Sequence, residues 1–268
     1  MPVSTMNQYG VIRLTTNHKD ENAKQTEKSL IPKKYTERSM VEDKQEARPE
    51  DFLSEEDIKR AELIQKRLAR RAQRAPKSPN NPEPKEWLAK DWSRGKIADY
   101  KAYNFVDGEG VRCSIYVSGC LFACPGCYNR VVQNFNYGIN YTEALQNQIL
   151  EDIGASYCQG LTLLGGEPML NTNILLPLCQ ALRDRYGHSK DIWCWSGYTF
   201  EELLVDSEDK LALLDLIDVL VDGRFLQDQM DLTLQFRGSS NQRIIDVQAS
   251  LQKNELVLWT NADGLPYK

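Results

Sequence analysis

Histidine is nearly missing from this chain: His18 and His188 are the only two in 268 residues, and neither stands near its cysteine-rich stretch. A mixed Cys/His zinc site therefore has no nitrogen ligands at hand. Long apolar runs are missing too. None approaches the ~20 residues of a membrane span, and no basic start with an apolar centre marks a signal peptide. The seven cysteines are odd in number and lack the density of a small disulfide-rich secreted domain. The expectation is a cytoplasmic protein without a membrane partner, its thiols reserved for metal or core. Aromatics and sustained periodicity are scarce through about residue 50, so this stretch reads as largely disordered.

The net charge of −5 hides an asymmetry. Residues 1–92 carry 19 Lys/Arg against 16 Asp/Glu, a net of +3, which leaves −8 for residues 93–268. An acidic second part argues against a nucleic acid as the direct substrate. Ser54 and Asp57 form a capping box for a helix over residues 54–75, with Ile58, Ala61, Leu63, Ile64 and Leu68 mostly on one side. Its basic half (Lys66, Arg67, Arg70, Arg71, Arg74) has no interleaved aromatics and reads as a solvated face rather than a nucleic-acid patch. Four prolines between 76 and 86 make a stiff linker. Two parts follow: an extension over 1–86, disordered and helical, and a main domain over 87–268 that begins near Trp87 or Trp92.

The main domain is organised around Cys120-Leu-Phe-Ala-Cys124-Pro-Gly-Cys127. Three thiols within eight residues can fold around one inorganic centre. A closed zinc site wants four ligands, and a ferredoxin-type [4Fe–4S] site wants four cysteines. Cys113 shares strand parity with Ile115 and Val117, which points to a buried thiol rather than a fourth ligand. Three ligands without a fourth suggest a cubane with one iron left open. Cys158, Cys179 and Cys194 stand singly in apolar surroundings and read as core.

Strands and helices alternate around this loop. Arg112–Ser118, Leu161–Leu164, Asp191–Trp195 and Asp218–Val221 read as strands. Helices are expected over Thr142–Ile153, from an Asn173 cap with Pro177 near its first turn to a Gly187 stop, after the Thr199/Glu202 capping box, and over Leu211–Ile217. This order predicts a parallel α/β sheet with right-handed crossovers. The tail, Glu255–Trp259 and beyond, could add an edge strand.

Cx3Cx2C is the signature of the radical S-adenosylmethionine (SAM) superfamily. Around it Val106–Cys113, Ser118-Gly119-Cys120, Cys124–Asn129, Gly165-Gly166-Glu167-Pro168, Trp195–Tyr198, Val221–Phe225 and Arg237–Gln242 occur in order. Across residues 97–247 the chain resembles the activating proteins of anaerobic (class III) ribonucleoside-triphosphate reductases. The resemblance implies an abbreviated, partial (β/α) barrel and a [4Fe–4S] cluster ligated by Cys120, Cys124 and Cys127. It implies SAM on the open iron, contacted by Gly126, Cys127, Tyr128, Gly165, Gly166 and Glu167. Gly126 departs from the aromatic residue common before the third cysteine, and Tyr128 takes over the adenine contact. The Gly165-Gly166-Glu167 turn receives the SAM amino group, so a side chain at Gly166 is expected to block SAM while sparing the thiol loop. Ser196-Gly197 and Asp222-Gly223 either line the ribose and adenine or are ordinary turns. Asp107–Gly110 and Arg237–Gln242 are either structural or partner-facing.

The implied activity is that of a radical SAM oxidoreductase. An electron from flavodoxin or ferredoxin cleaves SAM, and the resulting radical abstracts hydrogen from a glycine of the reductase. No separate acid or base residue is required. Two other readings stand beside it. One is activation of a different glycyl-radical enzyme. The other is a non-catalytic iron–sulfur or zinc scaffold whose basic N-terminal helix binds nucleic acid.

Overall fold

The computed structural model describes residues 81–261 and 264–267, together with the backbone of two short strands, Thr5–Met6 and Ile12–Arg13, that pair antiparallel. The chain divides into two units, Met1–Arg74 and Ala75–Lys268. The helix expected over 54–75, and apart from that short pair the stretch expected to be disordered, lie outside the described residues.

The second unit is built on a seven-stranded mixed sheet. Its strands are β1 (Lys96–Asn104), β2 (Val111–Val117), β3 (Ile139–Asn140), β4 (Cys158–Gly165), β5 (Asp191–Ser196), β6 (Val219–Asp222) and β7 (Arg243–Asp246), in the spatial order β3-β1-β2-β4-β5-β6-β7. The four central strands, β2, β4, β5 and β6, run parallel and are those marked by the apolar runs. Antiparallel strands flank them: β1 and β3 on one side, β7 on the other. The sheet is therefore mixed, not all parallel. The flanking strands carry polar residues, as in Lys-Ile-Ala-Asp-Tyr-Lys of β1, because an antiparallel strand near a sheet edge can leave one face to water.

Among the described residues six helices accompany them: α1 (Ala89–Trp92), α2 (Glu143–Ile153), α3 (Thr172–Tyr186), α4 (Phe200–Leu203), α5 (Glu208–Leu216) and α6 (Val247–Lys253). Thr142 caps α2 by accepting the Leu145 N–H at 3.2 Å, and Thr199 with Glu202 forms the reciprocal box on α4. Gly187 ends α3 at φ +57°. The start of α3 differs from expectation. The 3₁₀ turn Pro168–Leu170 leads straight into Thr172, so the boundary residue is Asn171 and Pro177 lies inside the helix. Asn171 does not cap; its amide donates to the carbonyls of Ser118 and Glu167 and its oxygen accepts from Ser93.

Period-two alternation sorts the strand residues onto two faces. Cys113, Ile115, Leu161, Leu163, Cys194 and Leu220 face the helices and share one core with Ile149, Leu178 and Leu214. The opposite face carries Trp193, Val219, Val221 and Ile244, covered by Phe236, Trp259 and Tyr267. Arg112, fully buried there, donates to Thr162 Oγ1 (2.7 Å) and the Leu161 carbonyl (2.9 Å), pairs with Asp191, and lies over Trp193. The tail reaches this face through a single bridge, Leu258 to Ile245, rather than a full edge strand. Glu109 fastens it by accepting from Trp259 Nε1 and the Tyr267 hydroxyl.

The segment 105–110 leaves β1 and enters β2 at the amino ends of the parallel strands. Asp107 folds back to accept from Thr162 and Tyr116, so its turn packs on the sheet face. Trp193→Ala removes the side chain that joins Arg112, Trp195, Phe236 and Trp259. It is expected to lower unfolding stability by about 3–5 kcal/mol, read from urea unfolding. A loss below about 1 kcal/mol would show that the tail and the loop refill the space.

Candidate metal centre

Because β2, β4, β5 and β6 are parallel, their carboxyl ends open on one side of the sheet. Each end releases a turn there: Ser118–Cys127 after β2, Gly165-Gly166-Glu167 after β4, Ser196-Gly197 after β5 and Asp222-Gly223 after β6. The fold thus gathers at one edge the motifs that lie far apart in the sequence. In open α/β sheets this edge is where ligands bind.

The first two turns are stitched together by backbone. Gly166 N–H donates to Val117 O at 2.7 Å, and Glu167 N–H to Gly119 O at 2.8 Å. Gly165 has φ +109°, and a Cβ at Gly166 would lie 2.4 Å from Gly119 O. Both glycines are therefore required by the packing of β4 against the root of the thiol loop. The expectation that a side chain at Gly166 spares that loop is corrected on this contact. Glu167 is 1% exposed. Its carboxylate accepts from Met169 N–H (3.0 Å), Ser196 Oγ (2.8 Å) and Gly197 N–H (2.8 Å), which ties the β4 end to the β5 end. Burial raises its pKa, against those three donors.

Phe122, between the first two cysteines, anchors the loop. It is buried with its ring edge-on to Trp87 (5.2 Å) and Tyr198 (5.0 Å), and the Arg224 guanidinium lies 4.6 Å from its centroid. Gly197 makes room for it, since a Cβ there would come within 2.4 Å of the ring. Gly197 thus has a packing reason for being glycine. Under Tyr198 lies a fully buried ammonium, Lys210, paired with Asp206 at 2.7 Å and donating to Trp87 O. The packing around the loop thus reaches back to Trp87.

Arg224 forms a two-pronged pair with Glu202, both bonds at 3.1 Å. The turn that presents it is moulded by the 237–242 segment. Asn241 donates to Arg224 O (2.8 Å), Gln242 to Gly223 O (3.0 Å), and Ser239 Oγ accepts from Leu226 N–H (3.2 Å). That assigns Arg237–Gln242 a structural role. Asp222 is likewise engaged, accepting from Phe200 N–H (2.8 Å) and from Arg243. Gly223, at φ +98°, borders Asn241 and Gln242, which a Cβ there would meet at 3.6 and 4.0 Å.

Cys120, Cys124 and Cys127 are partly exposed on this loop, while Cys113, Cys158, Cys179 and Cys194 are buried. Burial and then the charge of Glu167 push the Cys120 thiol up. Burial also raises Cys124, opposed by the Phe225 N–H and by Arg224. Those thiols need a metal to ionise them. Cys113 makes a different pair, 3.8 Å from Cys158, and that hydrogen bond with its burial holds it protonated. Among the described residues no three His, Cys, Asp or Glu side chains are gathered closely enough to hold one ion. Thiolates on a single tetrahedral zinc would stand roughly 3.8 Å apart, from a Zn–S bond of about 2.3 Å. A cubane takes each thiolate on a different iron, and the C-x3-C-x2-C spacing of Cys120, Cys124 and Cys127 supplies three such thiolates.

Gly126 has φ +72° and lies under the Gln227 side chain. Tyr128 is 99% exposed. Beside Pro125 lies an open cleft of about 430 Å³, lined by Pro125, Phe225, Leu226, Gln227 and Asp228.

Residues 106–245 match the family described as a 4Fe-4S single cluster domain. The chain is also 43% identical over 149 residues to a Haemophilus influenzae protein, covering 54% of this chain and 94% of that one. A relative from Escherichia coli K12 is 42% identical over 147 residues, 53% of this chain and 93% of the other. One from Enterobacteria phage T4 is 35% identical over 164 residues, 60% and 92% respectively. All three bear the name anaerobic ribonucleoside-triphosphate reductase-activating protein. This chain belongs to that family.

Within this activating-protein chain, sequence reasoning picked out the cysteines and turns but assigned nothing to Phe122, Arg224, Tyr198 or Lys210. An aromatic residue between two ligand-spaced cysteines was the available signal for Phe122. Phe122→Ala is expected to cut the iron retained after reconstitution several-fold while leaving all three thiols in place, and to cost about 3–5 kcal/mol. Gly166→Val is expected to lose iron as well, through its clash with Gly119. Normal iron in Gly166→Val would mean that the backbone contact at Gly119 is dispensable.

Proposed function

We propose that this chain is a radical SAM activating enzyme that generates the glycyl radical on an anaerobic ribonucleoside-triphosphate reductase. The observation that carries the reading is the convergence of a three-cysteine loop with the Gly-Gly-Glu turn at the carboxyl ends of four parallel strands. The relatives' names supply the target. Helices on one sheet face and a covered opposite face support the partial-barrel reading, shortened to four parallel strands. The match to a single-cluster domain supports one [4Fe–4S] centre.

In this reading Cys120, Cys124 and Cys127 hold the cluster, which with SAM on its open iron supplies one-electron cleavage of the sulfonium bond and thereby a hydrogen-abstracting radical. The chain binds, orients and excludes water. Backbone carbonyls of the Gly165-Gly166 turn suit the SAM amino group. Glu167 acts from beneath, keeping that turn against the β5 end. Gly126 and Cys127 follow Pro125, which lines the cleft, and Tyr128 offers an exposed ring to the adenine. The cleft at Pro125 and Phe225 lies within the size range of small-molecule sites, and an open edge admits a peptide loop of the partner. A low-potential carrier such as flavodoxin or ferredoxin supplies the electron.

The relatives' names favour the reductase over another glycyl-radical enzyme as the target. The scaffold reading with a basic N-terminal helix falls on residues 54–75, outside the described residues. A cytoplasmic setting is part of the proposal and rests on seven free thiols. Among the described residues no helix is long and apolar enough to cross a membrane.

Cys120→Ala, Cys124→Ala and Cys127→Ala are each expected to abolish SAM cleavage and the glycyl-radical signal on the reductase, while Cys113→Ser keeps both. Loss of iron in Cys113→Ser with retention in one of the other three would overturn the ligand assignment. Wild-type protein that holds its cluster yet cleaves no SAM under reduction would overturn the activity.

A further inference from the structure

We infer that Arg224, with its partner Glu202, sets the reduction potential of the centre held by Cys120, Cys124 and Cys127. The inference rests on the cluster reading above and adds a positioned charge to it. Arg224 is 6% exposed, and its guanidinium lies over Phe122, the residue fixed between Cys120 and Cys124. The next residue, Phe225, lines one cleft with Pro125, which directly follows Cys124, so one short turn brings the buried cation to the thiol loop. The Arg224 Nε is buried and has no acceptor among the described residues, although both terminal nitrogens are committed to Glu202. The guanidinium thus has an N–H to spare beside a sulfur-rich centre.

One-electron reduction adds one negative charge to the centre, with the electron coming from a low-potential carrier. A fixed cation nearby favours the reduced form and raises the potential, and a fixed anion does the reverse. Net charge and hydrogen bonds to sulfur are among the main determinants of such potentials, and at a buried site their fields are weakly screened. The Arg224–Glu202 pair is close to neutral as a unit. Its asymmetry is geometric: the cation stacks on the loop, while Glu202 is anchored behind it as the capping residue of α4 through Thr199 N–H at 2.8 Å.

That asymmetry gives a test by sign. The anaerobically reconstituted full chain is titrated with dithionite and mediators, and the midpoint potential is read from the electron paramagnetic resonance signal of the reduced cluster. Arg224→Gln removes the cation and leaves Glu202 uncompensated. Its reduction equilibrium should fall about tenfold, a shift of about 59 mV to more negative potential for a one-electron couple. Glu202→Gln leaves the cation unopposed and keeps a residue type that serves the capping box; its potential should move the other way. Arg224→Lys should stay nearer wild type than Arg224→Gln does. A purely structural role would loosen the loop in both neutral variants and move them the same way. Shifts of like sign, or none, overturn the proposal. If Arg224→Gln takes up no iron, the sign in Glu202→Gln decides alone: a positive shift supports the proposal, and a zero or negative one overturns it. Wild-type protein that takes up neither iron nor sulfide overturns the cluster reading itself; a normal cluster without opposite shifts overturns only the role of the pair.

Discussion

The seating of one aromatic ring governs the centre. A loop that must hold three thiols apart cannot rely on regular structure, because its backbone departs from the sheet at Gly119 and rejoins no strand until Ile139. Burying Phe122 solves this by driving the middle of the loop into the molecule, an effect worth about 1.5–3 kcal/mol for the side chain alone. The Arg224 guanidinium on its face adds a desolvated cation–π contact of about 2 kcal/mol. The two cysteines that flank Phe122 are then carried to the sheet edge as a consequence of packing, before any metal arrives.

Other parts of the fold serve that seat. Gly197 clears the space, Trp87 and Tyr198 make the walls, and the buried Lys210–Asp206 pair holds the floor in register. Behind Arg224, the polar segment 237–242 works as a mould of side-chain amides on backbone carbonyls. Glu167 closes the other side with three donors on one carboxylate. Loss of such a buried acceptor would strand several N–H and O–H groups at about 1–3 kcal/mol each, so this carboxylate is as much a brace as a candidate ligand contact.

Much of this was legible in the sequence, for a physical reason. The four parallel strands are buried on both faces and so appear as short apolar runs, and the caps Thr142, Thr199 and Gly187 act through local chemistry. The cysteine spacing and the turns after the strands are also local. What escaped was non-local. The flanking antiparallel strands carry polar residues that hide the pattern, and α3 starts early because Asn171 is drawn into bonds with Ser118 and Ser93, 53 and 78 positions away. The close approach of Gly166 to Gly119 likewise depends on the register of β4 against β2, which no local pattern encodes. The sheet face with Trp193, covered by Phe236, Trp259 and Tyr267, is likewise assembled from segments far apart in the chain.

The central claim is that three thiolates leave one iron of the cluster open to SAM. Its most direct test is the electron paramagnetic resonance spectrum of the reduced, anaerobically reconstituted full chain, recorded with and without SAM labelled at its amino nitrogen. The account predicts a reduced [4Fe–4S] signal that changes when SAM is added and shows magnetic coupling to the labelled nitrogen. A signal identical in both states, or a protein that binds zinc tightly and takes up no iron, would contradict it.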